Sequence, residues 1–174
     1  MNQDAYPFLE LAADISRDIK AQLKPPSESQ PFSDDPVVLI ALVKNTRTYI
    51  ERVAHQANGA YANGWYDASA VMLRRLLETL VIECFEKHGI SSKIKDKDGN
   101  FFFLRDLVGA ATSEPSWNLG RNAKSALVKL KDLGDKSAHN RRFNAHREDI
   151  ERLVPSIRDV VQELISLAEL QSKR

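Results

Sequence analysis

The stretch Trp65-Tyr66-Asp67-Ala68-Ser69-Ala70-Val71-Met72-Leu73-Arg74-Arg75-Leu76-Leu77-Glu78-Thr79-Leu80-Val81-Ile82-Glu83-Cys84-Phe85-Glu86-Lys87-His88, closed by Gly89, decides the fold. Its apolar residues recur at spacings of three and four and occupy most of the helical circumference, which predicts a helix buried on nearly every side. Gly89 stands where such a helix ends by turning left-handed. A central helix of this kind needs other helices to cover it. Gly and Pro number only seven each in 174 residues, and the flanking apolar residues keep the same rhythm. The fold class is therefore all-α, an up-and-down bundle of five to six helices.

Working outward, Asn58-Gly59 and Asn63-Gly64 loosen the chain before the central helix. Ahead of them, Asp35 followed by Pro36 reads as an N-cap and first helical residue, so a helix is expected from there to about Asn58, the apolar run Val37 to Val43 included. After the central helix, Asp98-Gly99 predicts a small hairpin or ordered loop within 91–100. A short helix near Phe101 to Ala111, a helix from Arg121 to Leu133 ended by Gly134, and a last helix from Glu148 to Leu170 complete the bundle. Pro155 inside that last segment predicts a kink or a late start. Before the bundle, Phe8, Leu11, Ile15 and Ile19 form the stripe of a helix over Tyr6 to Leu23, and Pro25, Pro26 and Pro31 mark a linker. The expected organisation is an arm over 1–24, a linker over 25–35 and a bundle over 36–174.

Composition narrows the chemistry. With 25 Lys+Arg against 24 Asp+Glu, no apolar run approaching the roughly 20 residues of a membrane span, and no signal-like N-terminus, a soluble cytoplasmic domain is expected, with no membrane partner. The lone Cys84 can form no internal disulfide and falls at core spacing behind Leu77 and Leu80. His55, His88, His139 and His146 are scattered, without the spacing that aims two imidazoles at one ion, so no metal site is expected. Asp96, Asp98 and Asn100 alternate as in a calcium loop, but Gly99 falls at the fourth position rather than the sixth and no Glu follows at the twelfth. Phosphate-binding glycine loops and nucleophile elbows are absent from the sequence, and no cofactor is expected.

The charge distribution is uneven. Residues 121–147 carry eight Lys/Arg against Asp132 and Asp135, a local charge of +6 that leaves −5 for the rest of the chain, including an acidic segment over 1–36. Lys131, Lys136, Arg141, Arg142 and Arg147 are thus candidates for contacting nucleic acid or another phosphate-rich partner, beside the plainer reading of a solvated basic face. Arg74 and Glu78 interrupt an apolar stripe of the central helix at i,i+4, as a buried structural pair or as part of a site. His139 follows a glycine and stands among cations. A partly buried neutral imidazole there could act as general base toward a ribose hydroxyl while a cation stabilises the phosphate.

Taken together, Ala60-Tyr61-Ala62-Asn63-Gly64-Trp65-Tyr66-Asp67-Ala68-Ser69-Ala70-Val71-Met72-Leu73-Arg74-Arg75-Leu76-Leu77-Glu78 and Leu133-Gly134-Asp135-Lys136-Ser137-Ala138-His139 resemble the bacterial domain-of-unknown-function family DUF4145, of the HEPN superfamily, over about residues 37–168. The resemblance implies an all-helical bundle, often homodimeric, related to metal-independent ribonucleases and to binding modules of prokaryotic defence and regulation. Active members of the superfamily carry an arginine separated from the histidine by four to six intervening residues. Here those positions are Gly134, Leu133 and Asp132, so the motif is degraded. Two readings follow. One is an interaction module with RNA, another phosphate-rich molecule or a protein as partner; the other is a ribonuclease with His139 as base and Arg74 and Glu78 in support.

Overall fold

The computed structural model describes residues 35–171, together with position 14 alone. Apart from positions 14 and 35, the expected arm over 1–24 and linker over 25–35 lie outside the described residues. Seven helices are present among the latter: α1 (Ile40–Val43), α2 (Thr48–Ala62), α3 (Tyr66–Lys87), α4 (Leu104–Ser113), α5 (Arg121–His139), α6 (Arg147–Glu151) and α7 (Val154–Leu167). The all-α expectation holds. None of these helices is long and apolar enough to cross a membrane.

Helix α3 is the axis of the bundle. Asp67 in its first turn and Lys87 in its last complement the helix dipole. It ends in a Schellman motif: Gly89 is left-handed at φ 68°, its N–H bonds the Glu86 carbonyl, and the Ile90 N–H reaches back to the Phe85 carbonyl at 3.0 Å. Leu73, Leu76, Leu77, Leu80, Val81, Cys84 and Phe85 are buried along it. Helix α2 ends the same way at Gly64, φ 76°, with the Trp65 N–H bonding the Ala60 carbonyl, and this reversal lays α2 antiparallel against α3.

The expected single helix from Pro36 to Asn58 is not formed. Val37 and Val38 are fully buried ahead of the four-residue α1, and the chain breaks at Asn45, whose φ of 63° is left-handed, before α2 begins. The reason lies 20 residues away. The Asn58 amide accepts from the Val38 N–H and donates to the Val38 carbonyl, both at 2.8 Å, so it holds Val38 as a neighbouring strand would. Asp35 caps no helix; its carboxylate pairs with Arg158 of α7.

Three further boundaries differ. Helix α5 runs through Gly134 to His139 instead of stopping at Leu133. The last helix is split: α6 is a single short turn, and α7 starts late with Pro155 in its first turn, where a missing N–H costs nothing. At 91–100 a 3-10 turn (Ser91–Ile94) leads into one antiparallel bridge between Lys95 and Phe101, around left-handed Gly99. The Asp96 carboxylate accepts the Asp98 and Asn100 N–H groups at 2.9 Å. Backbone hydrogen bonding from Asn100 is the main reason its pKa is lowered. That carboxylate is spent on the turn.

Trp117 closes the bundle below α4. Its ring meets Phe85 edge-on at 4.7 Å and His88 at 5.0 Å, and its indole N–H bonds the Ala111 carbonyl. Asn58→Ala is expected to destabilise the fold by about 2–4 kcal/mol in chemical denaturation, because it strands two buried backbone groups of Val38.

Candidate functional site

The sequence places its chemistry on two helices, and Gly134 sets how they meet. A Cβ at that position would lie 2.5 Å from the Arg74 Cβ and 3.1 Å from the Ala70 carbonyl oxygen, so α5 can approach α3 this closely only with a glycine there. The helices are antiparallel, since farther along Asp67 of α3 accepts the Ala145 N–H at 3.0 Å.

This approach assembles a network of charges. Arg74 Nε donates to Asp135 Oδ1 at 2.7 Å, and Arg74 Nη1 reaches Glu78 Oε2 at 3.4 Å. Lys131 Nζ lies 3.2 Å from Asp135 Oδ2 and bonds Asp132 Oδ1 at 2.8 Å. Arg74 and Glu78 are partly buried rather than sealed in the core. Partial burial pushes the Asp135 carboxyl up, but hydrogen bonds and charge from Arg74 and Lys131 outweigh it, so the group sits below its ordinary range. The Lys131 ammonium is raised, mainly by its hydrogen bond to Asp132. Asp135 is the hub, and it was not among the candidates read from the sequence. Its i,i+4 spacing from Lys131 is visible in the chain; its bond to Arg74, 61 residues earlier, is not.

His139 occupies the last position of α5, one turn beyond Asp135, and is exposed. The partly buried imidazole expected there is not found, because α5 continues past Gly134 and its final turn projects into solvent. The structure thus brings Arg74, Glu78 and Lys131 together, without a hydrogen bond from any of them to His139.

The remaining cationic candidates fall into two groups. Arg147 is engaged: its Nε bonds Glu151 at 2.7 Å and its guanidinium lies 5.7 Å from the centre of the Tyr61 ring. Tyr61 OH donates to the same Glu151 oxygen at 2.9 Å. The hydrogen bond from Arg147 is the main cause of the lowered Glu151 pKa, and burial of the Tyr61 ring is the main cause of its raised one. Lys136, Arg141 and Arg142, by contrast, are exposed and form no ion pair with a described residue. Asn140 Oδ1 accepts the Arg142 N–H at 3.0 Å, which fixes the turn that presents the two arginines.

Elsewhere, Cys84 is in the core. Burial pushes its thiol up to about 12, and its Sγ contacts the Leu164 carbonyl, so it is no nucleophile. Among the described residues no three His, Cys, Asp or Glu side chains converge as metal ligands would.

Residues 55–174 match the family model of the domain of unknown function DUF4145. The chain belongs to that family. The match begins within α2, later than the resemblance read from the sequence, and extends to the last residue. No curated protein and no solved structure matches the chain.

Gly134→Ala gains helix propensity worth about 1 kcal/mol but overpacks the seam by about 1–3 kcal/mol, so a net loss of about 1 kcal/mol is expected in thermal or urea unfolding. The depressed Asp135 pKa gives a second expectation. A carboxyl lowered on folding stabilises fully above its unfolded value of about 4, and that stability fades as pH falls through the native value. The stability gap between wild type and Asp135→Asn should therefore narrow from pH of about 5 to below about 3, read by urea titrations across that range.

Proposed function

We propose that this DUF4145 chain is an interaction module that binds a phosphate-rich partner, RNA foremost, through the end of α5 and the turn that follows. The observation that carries this reading is the sorting of the cations. Arg74, Lys131 and Arg147 are committed to carboxylates, whereas Lys136, Arg141 and Arg142 stand exposed within seven positions of one another. Unpaired guanidinium groups can bind phosphate oxygens bidentately without first surrendering an internal partner. His139, exposed between them, offers a ring N–H donor.

The HEPN resemblance supports a place in prokaryotic defence or regulation. The degraded motif, with Asp132, Leu133 and Gly134 where the arginine belongs, supports binding over catalysis. Aromatic side chains are sparse in the segment, with only Phe143, so recognition rests on charge rather than base stacking.

The test is fluorescence anisotropy of a labelled single-stranded RNA over about 50–200 mM salt, in EDTA, with the RNA recovered afterwards. Affinity should fall steeply with salt, and neutralising all three cations (Lys136→Gln, Arg141→Gln, Arg142→Gln) should make the log–log slope shallower by about 2. Absent or salt-independent binding would sink the proposal. Cleaved RNA, with cleavage lost in His139→Ala, would replace it by the ribonuclease reading.

A further inference from the structure

The described chain enters the bundle in the half that carries the cationic turn. Arg158 of α7 clamps the entry: its Nη2 donates to the Asp35 carboxylate and, at 2.7 Å, to the Pro36 carbonyl. Helix α7 starts where the cationic turn and α6 deliver the chain, and runs back toward Gly120 at the start of α5, whose N–H bonds Glu163. The first turns of α7, Arg158 among them, therefore lie toward the end of α5. Glu151 feels the Asp35 charge, which pushes its pKa up against the larger lowering by the Arg147 hydrogen bond. Arg142 stands five positions before that Arg147. Residues ahead of Asp35 thus set out from the neighbourhood of Lys136, Arg141 and Arg142.

The charges of those residues are opposite to the turn's. From Pro25 to Asp35 the charged residues are Glu28, Asp34 and Asp35, with no Lys or Arg among them, whereas over 1–24 Asp4, Glu10, Asp14 and Asp18 are nearly balanced by Arg17, Lys20 and Lys24. The excess negative charge is therefore concentrated next to the entry point. Glu28 lies seven positions before Asp35, a reach of up to ~25 Å. We propose that the acidic segment 25–34 docks on the cationic turn of its own chain, with Glu28 and Asp34 facing Lys136, Arg141 and Arg142, and so competes with the phosphate-rich partner. The competition rests on the binding reading above; the docking does not. Tethering holds these carboxylates at an effective concentration in the mM range, so exposed pairs that are individually weak suffice to occupy the turn. A polyanion offering more charges displaces them.

Two measurements on the full chain test this. A carbodiimide condenses a carboxylate and an amine in direct contact into an amide, and peptide mass spectrometry locates the link. Lys93 and Glu114, 2.8 Å apart, provide the internal control. Lys136 should be linked to Glu28 or Asp34, and in an equimolar mixture of isotopically light and heavy chains both halves of the link should carry the same label. A link joining light to heavy halves, or none where the control forms, overturns the docking. The second measurement is anisotropy of a labelled single-stranded RNA at about 50 mM salt. Glu28→Gln with Asp34→Asn should tighten binding at least about threefold, and should change nothing when Lys136, Arg141 and Arg142 are already Gln. Equal affinity of wild type and the acid-neutralised chain overturns the competition. If neither chain binds RNA, the binding reading and the competition fail together, while the cross-link still decides the docking.

Discussion

The close approach of α3 and α5 at Gly134 is the constraint on which the rest depends. With any side chain there the two helices would have to separate, and the bonds that cross between them could not keep their lengths. Arg74 could not hold Asp135 at 2.7 Å, and the Asp67 contact that anchors the chain beyond α5 would be drawn off as well. A residue without a side chain thus determines which side chains meet. Gly120, at the opposite end of α5, plays a milder part: its N–H is bonded by Glu163 of α7, which ties the helix start to the third side of the bundle.

Carboxylates sort the basic segment into structural and available charge. Asp132 and Asp135 occupy Lys131, and Glu151 occupies Arg147. Net charge over 121–147 therefore overstates what that surface offers a partner. Two other carboxylates serve the fold in the same manner: Glu83 is buried and accepts from Arg47 and Tyr49, tying the start of α2 to α3, and Glu114 is bonded by Lys93 at 2.8 Å and by Ser116. Such pairs stabilise a bundle only modestly, but they fix the angle at which loops enter it.

What was legible in the sequence follows the range of the interactions involved. Helix α3, its glycine stop, the loosening at Asn63-Gly64 and the turn at Asp98-Gly99 rest on neighbours within a few residues and were readable, whereas Asn58-Gly59, also expected to loosen the chain, lies inside α2, where Asn58 is turned inward to hold Val38. The break after α1 was not. Asp35-Pro36 imitates a helix start, and Val37 to Val43 imitates a helical face, until Asn58 folds back and claims Val38. Gly134 was misread for a related reason: glycine usually ends helices by its backbone freedom, and here it serves by its missing Cβ, which only a second helix reveals. Of the charged cluster, the pairs at i,i+4 could be anticipated, whereas Asp135 as their shared centre depends on the packing of α3 against α5.

Cys84 gives the bundle a built-in clock. It is the only cysteine in the chain, 1% exposed, and its sulfur lies 3.4 Å from the Leu164 carbonyl where α3 runs beside α7. Burial pushes its thiol up to about 12, so the closed state holds almost no reactive thiolate at neutral pH. Alkylation must therefore wait for α3 and α7 to part, and the rate at which a thiol reagent is consumed counts those openings. The same burial that removes this sulfur from chemistry makes it a gauge of how often the centre of the protein comes undone.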